Sequence, residues 1–169
     1  MPSVPDDGIV TSGNAPDIPN ANDDDEDEGE RKETVNALAN TLERIRQEKI
    51  EDERRKILDG TYPSRVIQGR QNKHIEGTRE FEQNQTKMRK MGGEPSILEA
   101  DAQELVDTYK GTGSIKMKSS IYPRERIDTG SIVGKTWVKS ISKYVDTRRI
   151  EIFYSSTGVH VVPVSDYAR

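Results

Sequence analysis

Hydrophobic positions change their rhythm three times along the chain. Up to Glu30 they stand isolated among Pro, Gly, Asn and the run Asp23-Asp24-Asp25-Glu26-Asp27-Glu28. Such a stretch has too little apolar surface to offset its ordering entropy and is predicted to be disordered. From Thr34 to Leu58, Val35, Leu38, Leu42 and Ile45 recur at alternating spacings of three and four, the rhythm of a helix with a short apolar seam. Charge interrupts the seam at Lys49 and Asp52. Two heptads do not specify a coiled coil, so the segment reads as a spacer helix or as one that docks on a partner.

Gly60-Thr61-Tyr62-Pro63 stops that helix and marks a domain boundary. Beyond it, Asp101 with Glu104 three residues on, then Leu105, Val106 and Tyr109, predict a short helix ending at Gly111. The pattern then becomes that of strands over Ser114–Lys118, Ser131–Lys139, Arg149–Tyr154 and Val159–Val164, the last two joined by a hairpin at Ser155–Gly158. The expected organisation is a disordered acidic tail over 1–33, a charged helix or linker over 34–60 and an α+β domain over 61–169. In that domain, helices pack on one face of one antiparallel sheet of about four strands.

Charge sharpens this division. Residues 1–33 hold eleven acids against two bases, whereas 61–169 hold thirteen acids against eighteen bases, so a tail of −9 precedes a domain of +5. A basic domain suits a polyanion such as RNA, and the tail is suited to mask it electrostatically. The absence of cysteine excludes disulfides, a thiolate nucleophile and zinc–thiolate sites. No apolar run of the ~20 residues needed to span a bilayer occurs, and none after Met1 reads as a signal peptide. No membrane association is therefore expected.

Two histidines, His74 and His160, are the chain's only side chains with a free pKa near 6.5, suited to proton transfer at neutral pH. Metal-independent RNA cleavage needs such a pair: a base for the attacking 2′-hydroxyl and an acid for the departing 5′-oxygen, with cations to stabilise the phosphorane. Lys73 precedes His74, Arg124 and Arg126 follow Pro123, and Arg148 and Arg149 open a strand. Tyr154 and Ser155 lead into the hairpin before His160, and Tyr144, Tyr154 and Trp137 are candidates for base stacking or for the core. Each feature also has a plainer reading. Alternation places His160 with Val162 opposite Val159 and Val161, where it would fill a half-buried surface; His74 would be a surface residue and Arg124-Glu125-Arg126 a solvated loop.

The ordered blocks Gln71-x-Lys73-His74-Ile75-x-Gly77-Thr78, Ser96-Ile97-Leu98 with Asp101-x-Gln103-Glu104-Leu105, Tyr109-x-Gly111-Thr112-Gly113, Arg124-Glu125-Arg126-Ile127-Asp128, Ile132-Val133-Gly134 and Tyr154-Ser155-Ser156-Thr157-Gly158-Val159-His160-Val161-Val162-Pro163 resemble the polymorphic toxin type 50 domain. The resemblance covers roughly Arg65 to Pro163. It implies a ribonuclease of the barnase/EndoU/colicin/RelE-like fold, with no metal or cofactor, whose antiparallel sheet carries the active site. It further implies His74 and His160 as the acid–base pair, Lys73, Arg126 and Arg148 as phosphate ligands beside Arg124, and Ser155 or Thr147 as hydroxyl donors. The family also occurs at the ends of phage minor capsid proteins. The expected setting is therefore a virion or a bacterial host cytoplasm, with RNA and a phage structural or immunity protein as partners. Two other readings are a non-catalytic virion protein docked through helix 34–58 and an inhibitor whose acidic tail mimics nucleic acid.

Overall fold

The computed structural model describes residues 24–117 and 121–165, with side chains from residue 28 onward. Of the disordered tail expected over 1–33, residues 1–23 lie outside the described residues, as do the masking and mimicry roles given to them, whereas 24–33 is helical. The chain divides into two units, 1–42 and 43–169. Helix α1, Asp24–Leu58, begins ahead of the boundary expected at Thr34. In the first unit its described side chains are all exposed, Val35, Leu38 and Leu42 among them. Within the added turns Lys32 meets Glu28 one turn away, an i,i+4 ion pair of the kind that supports a helix without any apolar rhythm.

In the second unit the end of α1 is built into the core. Ile57 is fully buried among Leu98, Val106, Ile150, Ile152 and Val159, with Ile50 packed against the same cluster. The Arg54 guanidinium donates to the carbonyls of Gly111 at 2.5 Å and Gly113 at 3.1 Å. Gly60, at φ +83°, turns the chain away from the helix in a conformation that disfavours other residues. Next come α2 (Gln68–Gln71), a 3₁₀ turn (Asn72–His74) and α3 (Arg79–Arg89), the last capped by the Thr78 hydroxyl, which accepts from the Phe81 amide. A short strand β1 (Ile97–Leu98) and α4 (Ala102–Tyr109), capped by the Asp101 carboxylate, complete the helical half.

The remaining strands are β2 (Ser114–Lys116), β3 (Arg124–Asp128), β4 (Gly134–Val138), β5 (Lys143–Thr147), β6 (Arg149–Ser155) and β7 (Gly158–Val164). The class is α+β, with antiparallel sheets as expected, but the strands divide between two of them. One has the order β2-β3-β6-β7 and the other β1-β4-β5. The expected strand over 131–139 thus belongs to a separate sheet, paired with β5. β3 and β5 escape hydropathy because Arg-Glu-Arg-Ile-Asp and Lys-Tyr-Val-Asp-Thr carry charge on both faces, with Glu125 inward beside the outward Arg124 and Arg126, and Lys143 and Asp146 on opposite sides of β5. The Arg124-Glu125-Arg126 cluster is accordingly a strand and not a loop.

Register divides the four-stranded sheet into two faces. Ile115, Glu125, Ile152 and Val161 form one cross-strand row, all buried; Lys116, Arg124, Phe153 and His160 form the next row, on the opposite face. Glu125 stays in the core because its carboxylate accepts from the Gly111 amide at 3.0 Å, the Gly113 amide at 2.6 Å and the Tyr154 hydroxyl at 2.7 Å. A buried carboxylate is tolerable only when donors saturate it in this way.

The helical half meets β7 through backbone and one amide side chain. Val66 forms a parallel bridge to Val159, with Ile67 N–H donating to the Val159 carbonyl at 2.8 Å and Val159 N–H to the Arg65 carbonyl at 2.9 Å. Gly158 permits the approach, since a Cβ there would lie 2.3 Å from the Arg65 carbonyl oxygen. Farther on, Gln71, only 1% exposed, donates from Nε2 to the Val161 carbonyl at 2.9 Å and accepts the Val161 N–H on Oε1 at 2.7 Å. Replacing Gln71 with Ala orphans both buried groups of Val161 and is expected to cost about 2–4 kcal/mol, measured by urea denaturation; a loss below ~0.5 kcal/mol would show that the clasp carries little load.

Candidate active site

The clasp has a geometric consequence for the residues that follow Gln71. The 3₁₀ turn it anchors ends in His74, and Val161, which it grips, adjoins His160 on β7. The two imidazoles, far apart in sequence, lie with ring centroids 6.4 Å apart and planes 12° from parallel. Thr78 steadies the turn by donating to the carbonyls of Asn72 at 2.6 Å and Ile75 at 2.8 Å, and the Asn84 amide donates to the Lys73 carbonyl.

Each ring is held differently. His74 Nδ1 lies 3.2 Å from the Ser96 carbonyl oxygen and 3.0 Å from its hydroxyl, just ahead of β1. Because a carbonyl only accepts, the Ser96 carbonyl favours the tautomer with the proton on Nδ1, in which Nε2 is the basic nitrogen. His160 stacks on Phe153 at 4.8 Å, and its Nδ1 is buried with no hydrogen-bond partner among the described residues. Phe153 in turn lies under the Arg124 guanidinium, whose carbon is 4.5 Å from the ring centroid. The result is a column of guanidinium, phenyl and two imidazoles on the outer face of the sheet.

Electrostatics keep both imidazoles neutral in the free protein. Burial lowers the His74 pKa, Lys73 adds to the effect and the Ser96 carbonyl opposes it. Burial also dominates at His160, followed by the charge of His74 and then by Arg70, Lys73 and Arg124, which together bring it down to about 4. The same cations that disfavour a protonated imidazole favour a bound anion between them. Among the described residues, no three His, Asp or Glu side chains converge as a metal-binding group.

The remaining candidates are distributed unevenly. Lys73 and Arg124 border the histidine pair, and so does Arg70, a cation that sequence reasoning passed over although it stands one helical turn before Lys73 and His74. Ser96 and Phe153 were also missed: nothing in their local pattern marks them, and only the register reveals them. Arg126 lies on the same face one row along, with its Nε and Nη2 both on Glu151 Oε1 at 3.0 and 2.6 Å. Ser155 is in the hairpin, where its hydroxyl donates to the Gly158 carbonyl at 2.7 Å. Thr147 and Arg148 fall at the far end of the sheet, beside the Arg149–Val164 pair, roughly 13 Å along the strands from the His160 row. There Thr147 is buried and donates to the Val164 carbonyl, while Arg148 pairs with Asp128 at 3.2 Å. Tyr154 points to the opposite face, into the core, because it immediately follows Phe153 on a strand. Trp137 and Tyr144 pair edge-to-face at 5.3 Å on the second sheet.

The fold and site together define a small α+β domain on which two imidazoles face each other with cations nearby. The chain belongs to the bacterial toxin 50 family, whose family model matches residues 66–163 and so takes in α2 through β7 with both histidines. No curated protein matches the chain. Among the described residues no helix is long and apolar enough to cross a membrane.

The depressed His160 pKa ties stability to pH. Above pH 6.5 neither the folded nor the unfolded chain protonates this ring and it contributes nothing. As pH falls from about 6.5 to about 4, the unfolded chain binds a proton that the folded chain refuses, so stability declines across that window. His160→Leu is therefore expected to show a shallower decline than the parent when urea midpoints are followed from pH 7.5 to 4. Parallel profiles would contradict the buried, neutral assignment.

Proposed function

We infer that this toxin domain cleaves RNA through attack of the substrate's own 2′-hydroxyl on the neighbouring phosphate. The observation that carries this reading is the approach of His74 and His160 to 6.4 Å, face to face, with Arg70, Lys73 and Arg124 near enough to act on His160. In the proposed reaction, the Nε2 lone pair of His74 takes the 2′-hydroxyl proton as the 2′-oxygen bonds to phosphorus. The bond from phosphorus to the 5′-oxygen then breaks, and that oxygen takes a proton from the His160 imidazolium. Arg70 and Lys73 oppose the charge that develops on the phosphorane. A phosphodiester bound there also makes protonation of His160 easier, offsetting the cations that depress it in the free protein. An RNA-cleaving toxin endangers its own producer, so an immunity protein covering this cleft is the partner that the reading calls for.

A second role concerns α1. Val35, at 64% exposure, with Leu38 and Leu42 at 58%, forms an uncovered seam, which favours docking on a structural partner such as a virion component. The two roles are compatible, since the seam is separate in sequence from both histidines.

The purified chain, incubated with total RNA in EDTA, is expected to leave 2′,3′-cyclic phosphate termini. His74→Ala and His160→Ala should each lower the rate by about 10²–10⁴-fold. Intact RNA, or variants as active as the parent, would refute the assignment. Activity also requires one imidazole neutral and the other protonated, and both pKa values lie below 6.5. The kcat/KM profile of the free enzyme should therefore peak on the acid side of neutrality and fall as pH rises through 7; an optimum above pH 8 would exclude this pair.

A further inference from the structure

The row of side chains that ends at His160 continues across the sheet in the other direction. Lys116 pairs with Arg124, Arg124 with Phe153, and Phe153 with His160, and directly paired residues share a face. With neighbouring strands ~4.8 Å apart, Arg124 stands roughly 10 Å and Lys116 roughly 14 Å from His160 at the backbone. Phe153 fills the interval. One face of its ring carries the Arg124 guanidinium at 4.5 Å and the His160 imidazole stacks at 4.8 Å, so the cation is propped away from the histidines and does not fold back onto them. Neither Arg124 nor Lys116 makes an ion pair with a described carboxylate, whereas Arg126, in the adjacent row, is held by Glu151. Charge effects at His160 rank the cations in the same way, with Arg70 and Lys73 acting more strongly than Arg124.

One phosphate group does not span this distance, so the two sets of cations address different groups on an extended anion. We propose that Arg124 and Lys116 form a binding site for the phosphate adjacent to the scissile one, so that a single-stranded oligonucleotide crosses the sheet perpendicular to its strands. The guanidinium, held over the Phe153 ring, has donors to offer two phosphate oxygens, and Lys116 adds a point charge beside it. This site rests on the RNA-cleavage reading for its scissile phosphate, but not for its anion chemistry.

The test compares three substrates for the full chain. Each contains a single ribonucleotide, hence one cleavable linkage, in otherwise deoxy sequence: a dinucleotide, and trinucleotides with a second phosphate on the 5′ or the 3′ side. The parent should turn over one of the trinucleotides with a KM about tenfold below that of the dinucleotide at similar kcat. In Lys116→Ala and Arg124→Ala that preference should vanish. A preference that survives in both variants, or a loss that falls equally on all three substrates, overturns the proposal.

A second measurement needs no catalysis. Binding of an all-deoxy trinucleotide, read by fluorescence anisotropy against salt, should show a slope lower by roughly 0.7 in Lys116→Ala, the share of one phosphate contact on a single strand. Lys139→Ala removes the same charge from the β4–β5 turn and should leave the slope unchanged. Equal slopes in parent and Lys116→Ala, or an equal loss in Lys139→Ala, would overturn the site. A parent that shows the Lys116-dependent slope yet cleaves nothing would retain the phosphate site and remove the ribonuclease reading.

Discussion

The hydrogen-bonded clasp between Gln71 and Val161 is the constraint on which the site depends. A strand in the interior of a sheet has its amide and carbonyl groups paired on both sides, but β7 has β6 on one side only. At Val161, the Gln71 side chain supplies the missing donor and acceptor, acting as a short imitation of a neighbouring strand. Because the imitation belongs to a side chain, the backbone that bears it need not continue as a strand. It is free to turn into the 3₁₀ segment that presents His74. The same covering of the β7 edge, begun by the Val66–Val159 bridge, also closes an edge that would otherwise invite pairing with another chain.

From this follows the electrostatic character of the cleft. Bringing two imidazoles together in a partly dry place, with Arg70, Lys73 and Arg124 nearby, makes protonation of either unfavourable while the cleft is empty. The protein therefore holds excess positive potential in a region where its own titratable groups decline to add more. A bound anion offsets that potential and makes protonation of one imidazole less unfavourable. In this arrangement, ligand binding and proton uptake are linked.

Much of the fold could be read from the chain. The α4 cap at Asp101, the strand pair β6–β7 with its hairpin, and the alternation that sends Val159 and Val161 inward and His160 outward all follow from short-range pattern. What eluded the pattern was long-range. β3 and β5 carry too much charge to announce themselves, because charge falls on both of their faces, the buried Glu125 included. The split into two sheets depends on which strands pair, and hydropathy does not encode pairing. At the site, the type of residue was informative but its neighbours were not. The histidines stood out by rarity, whereas Phe153 and Ser96 matter only because a register and a loop bring them against an imidazole. Thr147, Arg148 and Tyr154 show the converse: closeness in sequence to a site strand places a side chain at the other end of the sheet, or on its other face.

The anchoring of α1 bears on where this toxin module begins. Arg54 secures the two glycine carbonyls beside α4, Ile57 fills the middle of the core, and both precede Val66, where the family match starts. A fragment cut at that point would expose the pit left by Ile57 and free the loop from its guanidinium. The family segment, 66–163, and the compact unit, 43–169, are thus different objects, and the smaller one takes part of its core from upstream sequence.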